Sequence, residues 1–188
     1  MIILFLILSH MVADFLLQPT SLVKKKFEGW LGIFIHVVIH ALVLCAFLSP
    51  YLLNAQIYKV IAFIASSHFL VDTIKVHYEK KHQNFSLSYW LDQLAHFTFI
   101  IIGFELFIKG ERLLSYTHPA IILYLILAIF VTLTYEIGEQ QQRRSDALPR
   151  NFKLNLNKKM MLKRLVLFSF SFFLTYLLSQ GHVPAPLS

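Results

Sequence analysis

Histidine and aspartate recur in pairs, four residues apart, in the first half of the chain. A spacing of four places both side chains of a pair on one face of a helix, one turn apart. The composition would give about one His–His or His–Asp pair at this spacing by chance, so four pairs indicate an arrangement on helix faces. Neutral imidazole and carboxylate groups placed in this way are typical ligands of Zn²⁺, Mn²⁺ or Fe²⁺. The pairs are His10 with Asp14, His36 with His40, His68 with Asp72, and Asp92 with His96.

These eight side chains are the predicted metal ligands, with zinc expected first and manganese or iron as alternatives. Eight candidates exceed one tetrahedral shell. They would suffice for two ions about 4 Å apart, or for one ion whose ligands are oriented by the remaining aspartates. The three aspartates are also the predicted catalytic groups, because an aspartate that does not bind metal can act as a general base. Around them, Gln18 and Gln93 are expected to orient ligands or contact substrate, and Lys24, Lys25 and Lys26 to hold an anionic substrate.

The helices that must position these residues are apolar enough to cross a membrane. Of 188 residues, 57% are hydrophobic and 14% are charged, and the mean hydropathy is +0.63. A soluble domain is about one-quarter charged, so an ordinary cytosolic enzyme and a disordered chain are both excluded. The single cysteine, Cys45, excludes an intrachain disulfide. A spanning helix needs about 20 apolar residues, and six segments meet that need: about 1–18, 30–49, 57–75, 88–108, 118–137 and 163–180.

We therefore predict an all-α polytopic membrane protein with about six transmembrane helices, the first four forming a bundle around a polar His/Asp cluster. Residues 1–188 are expected to form one membrane domain. Its four-helix His/Asp core covers residues 1–109, and residues 110–188 add two helices joined by a basic loop at 138–163. Every pair lies inside a hydrophobic segment, where ionisable residues are rare and costly. This placement favours a functional site over hydrogen bonds that only hold the helices together.

The basic residues predict the orientation of the chain in the membrane. Of the 17 Lys and Arg residues, 14 fall in the connections between segments 1 and 2, 3 and 4, and 5 and 6. The positive-inside rule places these connections in the cytoplasm and both termini outside. All four pairs then lie at a similar depth, in the cytoplasmic half of the bilayer. The 14 residues are Lys24, Lys25, Lys26, Lys75, Lys80, Lys81, Arg143, Arg144, Arg150, Lys153, Lys158, Lys159, Lys163 and Arg164.

Four segments of the sequence resemble the signature segments of an uncharacterised bacterial membrane family, domain of unknown function 3307. They are HMVADFLLQ, HVVIHALV, HFLVDTIK and LDQLAHF, and the resemblance covers about residues 1–105. It implies a location in the bacterial inner membrane and a set of site residues, but no reaction. The layout is more loosely similar to membrane-bound metal-dependent hydrolases that place His and Asp on short hydrophobic helices. The positions that match the family's motifs are His10, Asp14, Gln18, His36, His40, His68, Asp72, Asp92, Gln93 and His96.

The leading functional hypothesis is a metal-dependent membrane hydrolase. A bound ion would activate water and polarise a phosphoryl or acyl oxygen of the substrate. A shallow cytoplasmic site suits an anionic lipid head group or a small phosphorylated substrate that arrives from inside the cell. The expected partners are therefore the lipid bilayer and such a substrate. A homo-oligomer is a further expectation, and nucleic acid is not expected because the basic residues lie between apolar segments.

Three other functions remain open. A divalent-cation or proton transporter or channel could use the same cluster, although the sequence shows no repeat and few helix-breaking residues inside the segments. Bis-histidine haem ligation fits the histidines, but three aspartates would crowd the apolar slot that haem needs. A non-enzymatic membrane scaffold would use the cluster only to pair its helices.

Overall fold

The computed structural model describes residues 1–82, 85–111, 113, 116–142 and 156–180. Within these ranges the chain is helical and has no strand, which confirms the all-α prediction. Two helices continue into a π-helical turn, and a 3₁₀ turn at Ser49–Tyr51 joins α3 to α4. The helices are α1 (Ile2–Met11, then a π turn at Val12–Leu16), α2 (Thr20–Glu28), α3 (Trp30–Phe47), α4 (Ala55–His82), α5 (Phe85–Phe107), α6 (Pro119–Ile129, then a π turn at Phe130–Thr134), α7 (Tyr135–Gln142) and α8 (Lys158–Gln180).

Five helical stretches in the described chain are long and apolar enough to cross a membrane. A sixth crossing is obtained if α1, with its π turn, and α2 are counted as one span, although they meet at 90°. The prediction of about six transmembrane helices is therefore confirmed. The five stretches are Trp30–Phe47, Ala55–His82, Phe85–Phe107, Pro119–Gln141 and Lys158–Leu177.

The connection between segments 1 and 2, expected as a loop, folds largely as helix α2. Pro19 is the N-cap residue of α2 and Gly29 its C-cap residue. Proline has no N–H to donate and its fixed φ suits the start of a helix, whereas glycine commonly follows a helix end. The lysines of this connection therefore lie on a short helix perpendicular to α1.

Other basic residues expected in loops also lie on helices. Helix α4 continues to His82, so Lys75, Lys80 and Lys81 belong to it, and α8 begins at Lys158. These helices continue through their charged ends because Lys and Arg are good helix formers. The charged ends are expected to project from the apolar layer of the membrane, which about 20 residues suffice to cross. Lys158, Lys159, Lys163 and Arg164 accordingly lie on α8. Arg143, Arg144, Arg150 and Lys153 lie outside the described residues.

The bundle has one apolar half and one polar half. Helix α1 packs against α3, α5 and α6, and the buried apolar residues Phe5, Leu6 and Leu8 meet Leu44 of α3 and Ile57 of α4 in one cluster. The buried polar residues gather beyond this core, towards the end of the bundle where α4 passes to α5. Large apolar side chains cover the outside of the helices. Apolar residues outside and ionisable residues inside are the pattern of a membrane protein.

Candidate metal centre

Each of four helical segments brings one predicted pair to the polar half of the bundle. The π turn Val12–Leu16 carries Asp14. The backbone N–H of Leu17 closes this turn by donating to the carbonyl oxygen of Val12 at 3.0 Å. A π turn adds a residue to the helical turn and is frequent at functional sites. The turn directs the Asp14 side chain at α3, where Asp14 Oδ1 accepts hydrogen bonds from Nε2 of His36 at 3.0 Å and of His40 at 2.8 Å.

The first group that could hold a metal ion contains Asp14, His36, His40 and His68. One ligand atom of each lies within 4.8 Å of every other. His68 Nε2 lies 3.8 Å from Asp14 Oδ1, so Asp14 is 2.8–3.8 Å from the three histidines. A tetrahedral zinc site with bonds of about 2.0–2.1 Å separates its ligand atoms by about 3.3 Å, within that range. All four residues are buried.

The second group contains His68, Asp72 and His96. Asp72 lies between the two histidines, with Oδ2 at 3.6 Å from His68 Nε2 and Oδ1 at 3.8 Å from His96 Nε2. His68 belongs to both groups, and one imidazole nitrogen binds one ion. Two ions would therefore compete for His68, and a second ion would be held by Asp72 and His96 without it.

His68 lies at the centre of the cluster. Its ring centroid is 3.7 Å from that of His40 and 3.9 Å from that of His96, on which it stacks. Its Nε2 atom is buried and has no hydrogen-bond partner among the described residues. Leaving such an atom unsatisfied costs about 1–3 kcal/mol. A cation bound between the neighbouring carboxylates would use this nitrogen as a ligand, so the residues fit a metal ion.

His10 and Asp92, the other two predicted ligands, lie beside these groups. His10 Nε2 donates to Oε1 of Gln93 at 3.3 Å and lies 3.6 Å from Asp14 Oδ2. Asp92 is 3.2 Å from His96 Nε2, and its other oxygen accepts from Lys75 Nζ at 2.7 Å. The amide nitrogen of Gln93 donates to both Asp14 and Asp92 at 3.2 Å. Gln93 therefore links His10 to the carboxylates of Asp14 and Asp92.

The lysines of α2 have different positions. Lys26 is buried, and its Nζ atom lies 2.6 Å from Oδ2 of Asp72. With its amide oriented to satisfy both neighbours, Gln18 accepts from Lys26 Nζ at 2.8 Å and donates to the Asp14 carbonyl oxygen at 3.2 Å. Lys24 is half-buried and Lys25 is exposed. Of the three lysines, Lys26 is thus the one that reaches the cluster.

Lys75 and Glu79 are cluster neighbours that the sequence reasoning did not place at the site. Lys75 pairs with Asp92, and the buried Glu79 accepts a hydrogen bond from Ser88 Oγ at 2.8 Å. They follow Asp72 by three and seven residues, so all three share one face of α4. This register was readable in the sequence, but the predicted segment ended at residue 75.

A cavity of about 90 Å³ adjoins the cluster on its carboxylate side. None of the five cluster histidines is among its lining residues, so the histidines lie behind the aspartates. A volume of this size holds several water molecules. The polar residues that line it are Asp14, Gln18, Lys26, Asp72, Lys75, Glu79, Tyr89, Asp92, Gln93 and Gln141.

Comparison with known proteins identifies a family for the chain. A family model described as "Protein of unknown function (DUF3307)" matches residues 2–125. Because the match covers well over half of the chain, the protein belongs to this family, as the four sequence motifs suggested. The matched region contains all four His/Asp pairs and the π turn of α1. The comparisons with curated proteins and with solved structures found no match.

Proposed function

We propose that this DUF3307 protein binds a divalent metal ion, zinc in the first instance, among its membrane helices and hydrolyses an anionic lipid or another phosphorylated substrate. The observation that carries the proposal is the Nε2 atom of His68, which lies between two carboxylates and has no hydrogen-bond partner among the described residues. Three histidines and one carboxylate form the better-defined ligand group, and this ligand set suits zinc, with manganese or iron as alternatives.

The surrounding residues have distinct roles in this proposal. A bound ion would supply an activated water and polarise the oxygen under attack. Asp92 lines the cavity and lies outside both ligand groups, so it is the aspartate best placed to accept a proton. Gln93 holds the carboxylate of Asp92 in position. Lys26 and Lys75 line the same cavity and would bind anionic oxygens of the substrate.

The proposed location is the bacterial inner membrane, with the cavity near the cytoplasmic face. The lysine-bearing helix α2 and the ends of α4 and α5 lie at the same end of the bundle as the cavity. The positive-inside rule assigns that end to the cytoplasm. If α1 and α2 together make one crossing, both termini lie outside.

Transport of a divalent cation or of protons is less well supported. A transport path would continue from the cluster to the opposite face of the membrane. Beyond the cluster the described part of the bundle is filled by apolar side chains, including Phe5, Leu6, Leu44 and Ile57. The polar residues therefore form a pocket on one side, which suits a catalytic site better than a channel.

Metal content tests the proposal. The detergent-purified protein would be analysed by inductively coupled plasma mass spectrometry, before and after reconstitution with Zn²⁺, Mn²⁺ or Fe²⁺. We expect stoichiometric metal in the wild type and its loss in His68→Ala. The matched control is His77→Ala, since His77 lies on the same helix but is exposed. Size-exclusion profiles would confirm that both variants remain folded.

Two results would contradict the metal site: a wild type that takes up no metal, or a His68→Ala variant that keeps as much as His77→Ala. The number of ions per chain also distinguishes one occupied site from two. Metal-loaded protein would then be offered phosphatidic acid in mixed micelles, with phosphate release as the measurement. Release that depends on metal and on His68 is the expected result.

A further inference from the structure

A groove runs along the outside of the bundle between α4 and α5. Its volume is about 360 Å³ and its walls are almost entirely apolar, formed by Val71, Ile74, Tyr78, Leu91, Ala95 and Phe99. The side chains of Ile74 and Leu91 are more than half exposed, so the groove opens away from the bundle. In a membrane protein this side of the helices faces the hydrocarbon chains of the lipids.

The floor of the groove is charged. Lys75 and Asp92, joined at 2.7 Å, line the groove and also line the polar cavity beside the histidines. The Asp92 side chain is 3% exposed and that of Lys75 is 22% exposed. This ion pair is therefore the partition between an apolar groove that faces lipid and a polar cavity that faces the candidate metal centre.

An ion pair at the base of a lipid-facing groove needs a physical reason. Charged side chains within apolar surroundings are costly and usually mark a binding site or pathway. A soluble substrate that arrives from the aqueous phase would need only the polar cavity in order to bind at the candidate metal centre. An amphiphile needs both spaces, because its chain requires an apolar surface and its head group requires polar partners. Lys75, at the junction, is paired with Asp92, but its ammonium has three N–H donors and can bind an anionic head group beside that carboxylate.

The direction of the groove suits a lipid that lies in the same leaflet as the cluster. From Val71 to Tyr78 the groove follows two turns of α4, about 10 Å. Ser88 and Tyr78 lie at the end where α4 passes to α5, and Val71 and Phe99 lie deeper along the helices. A chain laid in the groove would therefore run along the helices, with its head group near Lys75 and its tail towards the middle of the bundle.

We infer that the substrate of the candidate metal centre is an anionic membrane lipid that enters sideways between α4 and α5. Its hydrocarbon chain occupies the groove and its phosphate binds Lys75 at the cavity. The inference rests on the proposed function, and it goes further by selecting a lipid over a soluble phosphorylated molecule. The cavity of about 90 Å³ has room for the reacting part of a head group but not for the chain.

Photo-crosslinking tests the inference separately from metal binding. The full chain in nanodiscs would be illuminated with a phosphatidic acid probe that carries a diazirine in its acyl chain, and the labelled peptides mapped by mass spectrometry. We expect labelling concentrated at residues 71–78 and 91–99. Ala95→Trp would fill the groove and reduce this labelling. Leu94→Trp is the control on the same helix, because Leu94 is 63% exposed and lies outside the groove.

Head-group recognition is tested with Lys75→Gln. Loss of one charged contact should weaken retention of the phosphatidic acid probe about tenfold and leave a diacylglycerol probe, which has the same chains but no phosphate, unaffected. Labelling spread evenly over all lipid-facing helices, and unchanged by Ala95→Trp, would overturn the inference. So would hydrolysis of glycerol phosphate as fast as of phosphatidic acid. Stoichiometric metal with either result would refute the lipid route and leave the metal centre intact. Groove labelling without metal would refute the hydrolase, and with it the role of the lipid as a substrate, and leave only lipid binding in the groove.

Discussion

The buried pair of Lys26 and Asp72 makes a quantitative prediction about the balance between lysine and metal. The two charged atoms lie 2.6 Å apart, with side-chain exposures of 8% and 2%. At an effective dielectric constant of about 20, their attraction is about 6 kcal/mol, and part of it is offset by the cost of removing both charges from water. Breaking such a buried pair by removing one partner destabilises a protein by about 3–5 kcal/mol. Lys26→Met should therefore lower the stability of the metal-free protein by that amount.

The same substitution should strengthen metal binding. In the metal-free protein the Lys26 ammonium occupies the oxygen of Asp72 that faces His68. A dication at the second ligand group must compete with this ammonium, and Lys26→Met removes the competitor. We expect at least about tenfold tighter binding, equivalent to 1.4 kcal/mol. Added metal should then restore much of the stability that the substitution removes, since a ligand that binds the folded state stabilises it.

Thermal unfolding in detergent, with and without Zn²⁺, measures both effects. A loss of about 3–5 kcal/mol corresponds to a decrease in Tm of about 6–20 °C for a chain of this length. Lys25→Met is the matched control, because Lys25 is the exposed neighbour of Lys26 on the same short helix. Equal Tm values for the two variants would refute the stabilising role of the pair. A smaller metal-induced increase in Tm for Lys26→Met than for the wild type would refute the competition.

Two further substitutions test the proposed role of Asp92 and the packing of α2. Asp92→Asn should retain metal but lower substrate hydrolysis about 10²–10⁴-fold, the usual contribution of a general base. The control Glu105→Gln, at an exposed carboxylate on the same helix, should change neither metal content nor hydrolysis. Full activity of Asp92→Asn would exclude the proposed role. Gly32→Ala would place a Cβ atom against the backbone of Lys25, closer than van der Waals contact allows. The substitution must therefore displace α2, which should lower the Tm by the equivalent of about 1–3 kcal/mol and speed tryptic cleavage within α2. The control is Gly29→Ala, because a Cβ atom at Gly29 meets open space, and its tryptic digestion should equal that of the wild type. Identical digestion of the two variants would show that the close contact at Gly32 does not hold α2 in place.

The candidate site could be predicted from sequence as far as its local pattern extends. Spacing by four fixes which residues share a helix face, and hydropathy fixes which helices lie in the membrane. The residues selected by these two rules include every side chain of the two groups that could hold a metal ion. Six of the eight predicted ligands fall in these groups, and His10 and Asp92 lie beside them. That division depends on the rotation of each helix about its axis. For Asp14 that rotation is set by a π turn, which no residue pattern announced.

The supporting residues show where the reasoning from sequence stopped too early. Lys26 was expected in a loop because the nine residues of α2 are too polar for a spanning segment, yet Pro19 and Gly29 flank them as helix boundary residues do. Glu79 lies beyond the apolar part of α4 but continues the face of His68 and Asp72. In both cases the predicted bounds of the helix rest on membrane hydropathy alone. The helix itself continues as far as the helix propensity of its residues and their packing allow.

The perpendicular arrangement of α1 and α2 has a consequence for the bilayer around the protein. The ten residues of α1 and the five of its π turn rise about 22 Å at about 1.5 Å per residue. A typical hydrocarbon layer is about 30 Å thick. Because α2 is perpendicular to α1 and adds little along its axis, a crossing by this bent pair would be short by about 8 Å. Lipids beside it must thin or tilt to avoid exposing their chains, at a cost of fractions of a kcal/mol per Å. Such thinning would bring the polar surface of the bilayer towards Asp14, and we expect membrane thickness to affect how readily water reaches the cluster.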